Sequence, residues 1–262
     1  MTSYHPNNNI YWKLDLTKPI SHSFTYDVGG HGWGNQELQT YTDSPQNAYI
    51  TAQGDELVIS ANIEKDEQNP NGVSYTSARL VSKQCLDLDR GYVEAHIQTP
   101  QFQAIWYAFW LLPQKPFTWP GDGEIDICEG WDGKYENGNC AHWGHFIGED
   151  YNKHRVRYHS ISKDQHITGH TYGFCWSERG LIWFFDGKPT MRAKVPKGIR
   201  PFSHFQIMLN IAIGGNVMQN TKPQVPSTHQ MYVRDLKICH SPPMGCSSFD
   251  EAWKQACDGN TM

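Results

Sequence analysis

A short segment in the middle of the chain carries three carboxylates: Glu124, Asp126 and Glu129. Side chains of a β-strand alternate between its two faces, so Glu124 and Asp126 share a face. Strict alternation would turn Glu129 away, but one bulged residue near Ile127 and Cys128 would shift the phase and bring it to the same side. Carboxylates packed so closely repel one another and raise at least one pKa, so we interpret the group as an active site.

Paired carboxylates of this kind suit the cleavage of glycosidic bonds. Retaining glycosidases place a nucleophilic carboxylate about 5–5.5 Å from a protonated carboxylic acid. We therefore predict that Glu124 attacks the anomeric carbon, while Glu129 protonates the leaving oxygen and later activates water. Asp126 would orient the nucleophile and couple the titration of the pair. An exposed acidic strand or a calcium site is the structural alternative, but the apolar residues between the acids indicate a strand buried on its other face.

Tryptophans flank the acidic segment. Trp119 precedes it and Trp131 follows it, and flat aromatic rings suit stacking against the C–H faces of pyranose rings. The chain has ten tryptophans and thirteen tyrosines, and most of them are expected to serve the core and the strand faces. Trp110, which lies on a short apolar run, is accordingly assigned to packing. The flanking pair predicts a sugar-binding groove beside the acids.

The elements that must position these residues are β-strands. Short runs rich in Val, Ile, Tyr, Phe and Trp alternate with Gly, Pro, Asn and Asp, a pattern typical of an all-β protein. Nine or more strands imply two stacked sheets. The Asp186-Gly187 step predicts a two-residue hairpin. The clearest strands are predicted at residues 56–61, 75–80, 91–97, 108–112, 124–129, 171–176, 181–185, 205–213 and 231–238.

One helix is predicted, in a tail that follows the strands. Ser248 and Glu251 form a capping box at its start. We therefore divide the chain into a catalytic domain at residues 1–241 and a tail with a short helix at residues 242–262. Cys246 and Cys257 flank this helix and are candidates for a disulfide, while the odd total of seven cysteines without a CxxC pair argues against a zinc ribbon.

Charge and hydropathy exclude several partners. The net charge is −5 and no basic stripe is present, which disfavours nucleic acid. The longest apolar stretch, at residues 104–113, is about half of what a membrane-spanning helix needs, so no membrane contact is expected. His142 and His145 are three residues apart but have no clear third ligand, so no metal site is predicted.

The segment EIDICE, preceded by FWLLP and WPGDG, resembles the E-I-D-x-x-E signature of glycoside hydrolase family 16, in its laminarinase-like branch with a bulge. The similarity continues through GWGNQELQTYT, YTSAR, WFFDGK and LNIAIGGN. The resemblance implies a β-jelly-roll sandwich of two curved antiparallel sheets with a concave substrate cleft. It also implies an endo-acting 1,3-β-glucanase (laminarinase) or a mixed-linkage 1,3(4)-β-glucanase.

The resemblance further implies roles for individual residues. Asn35 and Arg79 would bind glucosyl units on the non-reducing side, and Trp119 and Trp131 would be stacking platforms. His142 matches the family's histidine near the cleavage point, where it would hydrogen-bond the acids or the substrate. The alternatives are a transglycosylase, a hydrolase of an agar- or carrageenan-type galactan, and a non-catalytic glucan-binding protein. Proteins of the last class typically lose the carboxylates that this chain keeps.

The chain departs from the family at a calcium site. Members often carry an aspartate in the last strand for a structural calcium on the convex face, where this chain has Arg234. A guanidinium can take the place of a cation, so we expect calcium to be absent or weakly bound and no cofactor to be required. The insert at residues 143–170 would shape an end of the cleft or contact a partner. We expect a secreted or periplasmic monomer, with no export signal in this sequence, that binds a β-glucan polysaccharide.

Overall fold

Two stacked β-sheets form most of the structure, a computed structural model that describes residues 9–69, 72–144, 154–163, 167–242 and 249–260. The larger sheet contains β1 (Ile10–Lys13), β3 (Thr40–Tyr41), β4 (Ala48–Ile50), β5 (Leu57–Lys65), β6 (Val73–Ser77), β8 (Gly91–Gln98), β13 (His170–Ser177), β14 (Gly180–Phe185), β15 (Lys188–Ala193), β17 (Ser227–Cys239) and β18 (Cys257–Asp258). The smaller sheet contains β2 (Phe24–Tyr26), β7 (Arg79–Cys85), β9 (Ile105–Pro113), β10 (Glu124–Trp131), β11 (Glu136–His142), β12 (His154–Ser160) and β16 (Phe205–Ile213). The helices are α1 (Ile20–Ser23), α2 (Trp33–Gln36) and α3 (Phe249–Gln255), with 3₁₀ turns at Phe202–His204 and Asn216–Met218.

The predicted all-β sandwich of the jelly-roll type is confirmed. Neighbouring strands run antiparallel except for two short pairs in the larger sheet, β3 with β6 and β15 with β18. The smaller sheet has the order β12-β11-β10-β9-β16-β7-β2. The strand that carries the acids, β10, therefore has β9, β16 and β7 on one side and β11 and β12 on the other.

Strand β9 shows how the core is built between the sheets. Its odd-numbered residues are almost fully buried there: Ile105, Tyr107, Phe109 and Leu111. Burying each such side chain contributes about 1.5–3 kcal/mol. The alternate residues point away from the core because strand side chains alternate. The outer face of β9 is therefore left for something other than core packing.

The prediction of a single strand at residues 75–80 is wrong. The chain ends β6 at Ser77, passes Ala78 and begins β7 at Arg79. The first strand belongs to the larger sheet and the second to the smaller sheet. Ala78 is fully buried, so the apolar pattern continues across the change of sheet and hides it. The change makes Arg79 the first residue of a strand in the smaller sheet.

The hairpin predicted at Asp186-Gly187 is confirmed. Both residues have positive φ angles, 48° and 72°, as the common two-residue turn between antiparallel strands requires. The turn joins β14 to β15, which pair antiparallel. The turn thereby fixes the register of β15, the strand with which β18 of the tail pairs.

The tail packs on the larger sheet. The predicted helix is observed as α3, and Ala252 and Ala256 contact the same buried cluster as Tyr92 and Ile182. Ser248 and Cys246 lie outside the described residues, so the capping box and the disulfide stay predictions, as does the division of the chain at residue 242. Within the described ranges, no helix is long and apolar enough to cross a membrane.

Candidate active site

A bulge in β10 gathers the three carboxylates. The pairing of β10 with β9 shifts by one residue between Asp126 and Cys128, which leaves Ile127 as the extra residue. Ile127 and Cys128 are both buried in the core, so Glu129 points outward on the side of the earlier acids. The predicted bulge is confirmed. Glu124, Asp126 and Glu129 line one cavity of about 490 Å³ on the outer face of the smaller sheet.

Strand register builds the floor of this cavity. Ala108 of β9 pairs with Glu129 on one side and with Asn210 of β16 on the other. Trp106 and Trp110 lie two positions to either side of Ala108 and line the same cavity. The small methyl group leaves a gap between the two indole rings beside Glu129. The floor is an apolar surface bordered by carboxylates and an amide, which suits a sugar ring with apolar faces and a polar rim.

Each of the two glutamates accepts a hydrogen bond from the indole N–H of a different tryptophan. Trp119 Nε1 donates to Glu124 Oε2 over 2.7 Å. Trp106 Nε1 donates to Glu129 Oε1 over 2.9 Å. Such bonds fix the rotamer of each carboxyl group before a substrate arrives, and pre-set geometry is a large part of what an enzyme supplies.

Burial raises the pKa of both glutamates to different extents. Together with the neighbouring charge of Asp126, burial raises the pKa of Glu124 to about 7 and that of Glu129 to about 8. The charge of Glu124 also raises the pKa of Glu129, so the pair loses its two protons in separate steps. Between these values the cleft holds one carboxylate and one carboxylic acid, which is the pair that a retaining glycosidase uses.

His142 lies directly across from the acids on β11, where it pairs with Glu124. Its Nε2 is 3.4 Å from Asp126 Oδ2 and 3.8 Å from Glu124 Oε1. Burial disfavours the charged ring, but the contacts with Asp126 and Cys140 together outweigh this effect, and the pKa of His142 lies above its usual range. The positive charge in turn lowers the pKa of both Glu124 and Glu129. The histidine therefore favours ionisation of the glutamates beside it.

One end of the cavity, which we call the arginine end, is lined by Trp33, Asn35, Arg79 and Trp110. The Arg79 guanidinium lies 4.8 Å from the ring centre of Trp110 and 5.9 Å from that of Trp33. Arg79 Nε is 3.5 Å from Asp27 Oδ2. The structure thus brings Asn35, Arg79 and Trp119, all predicted to bind substrate, into the same cavity as the three acids.

A chain of hydrogen bonds supports Trp110 of the arginine end. Trp110 Nε1 donates to Asn210 Oδ1 over 2.7 Å, and Asn210 Nδ2 donates to the Tyr41 hydroxyl over 3.1 Å. The Tyr41 hydroxyl donates in turn to Glu37 Oε2 over 3.2 Å. Buried polar groups that are linked in this way hold one another in a single arrangement.

The other end, which we call the tyrosine end, is a small recess lined by Trp131, Lys134 and Tyr158 beside Glu129. The rings of Trp131 and Tyr158 meet edge to face, with 5.6 Å between their centres, and Lys134 Nζ lies 5.9 Å from the Trp131 ring centre. Trp131, predicted to bind substrate, is therefore outside the main cavity. Tyr158 belongs to β12, so part of the insert at residues 143–170 shapes this end of the cleft.

Sequence reasoning missed several residues of the cavity: Trp33, Trp106, Trp110 and Asn210. The assignment of Trp110 to the core is wrong, because Trp110 faces the cleft. A signal for two of them was present, since Trp106 and Trp110 alternate with the residues of β9 that do form the core. Trp33 and Asn210 are brought to the cleft by contacts distant in sequence.

Two positions bear on metal binding. Across the described residues, one group of side chains is arranged to bind a metal ion, namely Asp126, Cys140 and His142. In the larger sheet, Arg234 Nη1 lies 3.7 Å from Glu56 Oε1, and Arg234 Nη2 lies 3.0 Å from His96 Nε2. The guanidinium thus neutralises a nearby carboxylate, while the expected lack of calcium stays a prediction. His145 lies outside the described residues.

Comparison with known proteins identifies the family. Residues 33–231 match the glycosyl hydrolases family 16, a stretch that includes both ends of the cleft. The chain belongs to glycosyl hydrolases family 16. The family resemblance predicted from the acidic motif is therefore confirmed, and it covers most of this chain.

Characterised relatives of this family 16 protein include a β-glucanase of Rhodothermus marinus, which is 34% identical over 75% of this chain and 71% of that protein. The clotting factor G alpha subunit of Tachypleus tridentatus is 29% identical over 95% of this chain. The chain spans only 37% of the length of that subunit. The crystal structure of the laminarinase from Rhodothermus marinus has a TM-score of 0.72 at 26% identity, covering 88% of this chain and 97% of that one.

Proposed function

We propose that this family 16 protein is a retaining, endo-acting hydrolase of β-1,3-glucan or mixed-linkage β-1,3(4)-glucan. The observation that carries the proposal is the pair of glutamates in one cleft. Each is oriented by an indole N–H, and burial raises the pKa of both, so that the pair holds one proton between about pH 7 and about pH 8. The similarity to a β-glucanase and to the structure of a laminarinase, both from Rhodothermus marinus, supports the choice of substrate.

The reaction proceeds in two steps through a covalent intermediate. In the first step, the Glu124 carboxylate bonds to the anomeric carbon while the glycosidic C–O bond breaks, and Glu129 gives its proton to the leaving oxygen. In the second step, Glu129 takes a proton from water, whose oxygen bonds to the same carbon as the ester to Glu124 breaks. Both glutamates return to their starting protonation states, and the configuration of the sugar is retained.

The position of Glu129 supports one direction for the substrate. Glu129 lines both the main cavity and the tyrosine end, whereas Glu124 lines the main cavity alone. The nucleophile must reach the sugar that keeps the anomeric carbon, and the acid must reach the bond that breaks. The non-reducing side of the glucan therefore lies toward the arginine end and the leaving group toward the tyrosine end.

Binding surfaces on both sides of the acids support cleavage of an internal bond. Arg79 is on a strand three positions from β10 and Tyr158 on a strand two positions from it. At about 4.8 Å between neighbouring strands, the surface extends roughly 14 Å to one side and roughly 10 Å to the other. The expectations that the protein is exported, acts as a monomer and needs no cofactor stay predictions.

The proposal is tested by reducing-sugar release from laminarin, mixed-linkage β-glucan, agarose and carrageenan. Glu124→Ser should lose several orders of magnitude in rate on the β-glucans, because no nucleophile remains. Glu178→Ser, an exposed position in the turn between β13 and β14, is the matched control and should behave like wild type. Cleavage of a galactan alone would overturn the substrate, and release of the opposite anomer in a freshly mixed NMR sample would overturn retention.

The two remaining alternatives give different products in the same assay. A transglycosylase would yield longer oligosaccharides when acceptor sugar is in excess, because a sugar hydroxyl would replace water in the second step. A glucan-binding protein would release nothing from any of the four polysaccharides. Laminarin in the gel would still retard its migration in affinity electrophoresis.

A further inference from the structure

The thiol of Cys140 lies beside the active site and has no part in the proposed reaction. Cys140 on β11 pairs with Asp126 on β10, and His142, two residues further along β11, pairs with Glu124. Residues two apart on a strand share a face, so the thiol, the imidazole and the Asp126 carboxylate converge. Three different ligand types for a transition metal are therefore adjacent, and a cation that binds to them would displace the protons of the thiol and the imidazolium into solvent.

The distances between these atoms match a tetrahedral metal site. Cys140 Sγ is 3.3 Å from His142 Nε2, and His142 Nε2 is 3.4 Å from Asp126 Oδ2. All three ligand atoms lie within 4.8 Å of one another. Zinc bonds of about 2.0–2.3 Å at tetrahedral angles place neighbouring ligand atoms about 3.3–3.8 Å apart. Two of the three separations already have this length, and the third is no longer than 4.8 Å.

The carboxylate of Asp126 offers a ready ligand atom. Asp126 is only 4% exposed, and within the described part of the chain its Oδ2 has no hydrogen-bond partner other than the contact with His142 Nε2 at 3.4 Å. A buried oxygen of this kind gains more from binding a cation than an oxygen already hydrogen-bonded. Cysteine and histidine ligands favour zinc or copper, whereas calcium and magnesium prefer oxygen alone.

We propose that Asp126, Cys140 and His142 form a binding site for a thiophilic divalent cation such as Zn²⁺, which blocks the active site when it is occupied. Glu124 Oε1 lies 3.8 Å from His142 Nε2, so the nucleophile is within reach as a fourth ligand. A cation held there occupies the lone pairs that Glu124 needs to attack the sugar. The proposed binding site does not depend on the proposed function. Only the inhibitory role of the cation rests on the proposed function.

Binding is measured first, without any substrate. Titration calorimetry of the wild-type protein with Zn²⁺ should show one site that Ca²⁺ and Mg²⁺ do not fill. Co²⁺ in its place should give a thiolate-to-cobalt charge-transfer band in the near ultraviolet. Cys140→Ser and Cys140→Ala should abolish the band and weaken Zn²⁺ binding by at least about tenfold, since even outer contacts of a metal site are worth that much.

Cys257→Ser is the matched control, because this exposed cysteine lies outside the cleft. It should keep both the band and the affinity. A wild-type protein without the band, or a Cys140→Ser variant that binds Zn²⁺ as wild type does, would overturn the site. Circular dichroism confirms that each variant is folded.

Inhibition is measured second. For each protein, the rate of laminarin hydrolysis with Zn²⁺ is divided by the rate of the same protein without Zn²⁺. Wild type and Cys257→Ser should be inhibited and recover with a chelator, while Cys140→Ser should resist. If the cation binds with the cobalt band but does not slow a measurable hydrolysis, the inhibitory role is wrong. If no protein hydrolyses any glucan, the proposed function fails while the binding result still stands.

Discussion

The two ends of the cleft are held in place by different forces. At the arginine end, Trp110 is tied by hydrogen bonds through Asn210 to Tyr41, and these residues come from strands far apart in the sequence. At the tyrosine end, Trp131 and Tyr158 meet only through their rings, and Tyr158 stands on β12 at the edge of the smaller sheet. The first end is a connected polar network, whereas the second is a local pair of rings.

This difference indicates how each end responds to change. A substitution in a connected network leaves partners unpaired and shifts neighbouring groups, so the cost reaches both stability and catalysis. A substitution in a half-exposed ring pair removes contact area alone. We therefore expect the arginine end to be rigid and the tyrosine end to be adjustable.

The largest effect is expected where the two ends meet, at Glu129. Glu129→Gln keeps the bond from Trp106 in reach but cannot donate a proton, so hydrolysis of laminarin should fall by about 10²–10⁴-fold. Wild type should lose activity as pH falls through about 7, where the pair of glutamates gains a second proton, and as pH rises through about 8, where the pair loses its last proton. The alkaline loss should be missing in the variant.

An activated aryl glucoside provides the control for Glu129→Gln, because a good leaving group needs no proton in the first step. The first step on that substrate should be nearly as fast as in wild type. An equal loss on both substrates would show that Glu129 does not act as the acid.

The next largest effect is expected at the arginine end. Asn210→Ala removes the acceptor of the Trp110 N–H and one of the two hydrogen bonds of the Tyr41 hydroxyl, and a buried group left unpaired costs about 1–3 kcal/mol. The free energy of unfolding in urea should fall by that order. A misplaced Trp110 platform should also lower kcat/KM on laminarin by about 10²-fold.

Asn62→Ala is the matched control for Asn210→Ala. Both asparagines are 7% exposed, but Asn62 stands in β5 of the larger sheet and does not line the cleft. It should destabilise the fold and leave kcat/KM near wild type. If the two variants lose activity alike, the network does not position the cleft.

The smallest effect is expected at the tyrosine end. Tyr158→Ala should lower kcat/KM on laminarin by about tenfold through loss of a ring platform, with little change in the free energy of unfolding. The aryl glucoside should show no such loss if its leaving group does not reach this ring. Tyr11→Ala, at a tyrosine equally 41% exposed on β1, is the control. A large fall in stability for Tyr158→Ala would contradict the contrast between the two ends.

Local patterns in the sequence predicted much of the frame. Alternation identified most strands, the Asp186-Gly187 step identified a hairpin, and the phase of EIDICE predicted a bulge near Ile127 and Cys128, which the structure places at Ile127. These features depend on neighbouring residues only, so a single sequence contains the information.

Other features depend on which face of a strand meets the core, and alternation does not decide this when both faces are apolar. On β9, Trp110 and Phe109 are both large and hydrophobic, yet only Phe109 is buried in the core. The break between β6 and β7 at Ala78 was not predicted for a related reason. A buried residue that connects two sheets is as apolar as a buried residue within one sheet. Contacts distant in sequence settle both cases.

The bulge at Ile127 has a consequence for how related genes diverge. In-frame loss of the single codon for Ile127 would remove the extra residue and restore strict alternation. The third acid would then follow Glu124 by four positions instead of five, and an even spacing keeps it on the same face. Two versions of the motif, differing by one codon, therefore encode one arrangement of carboxylates, and a search that fixes the spacing at five would overlook the shorter version.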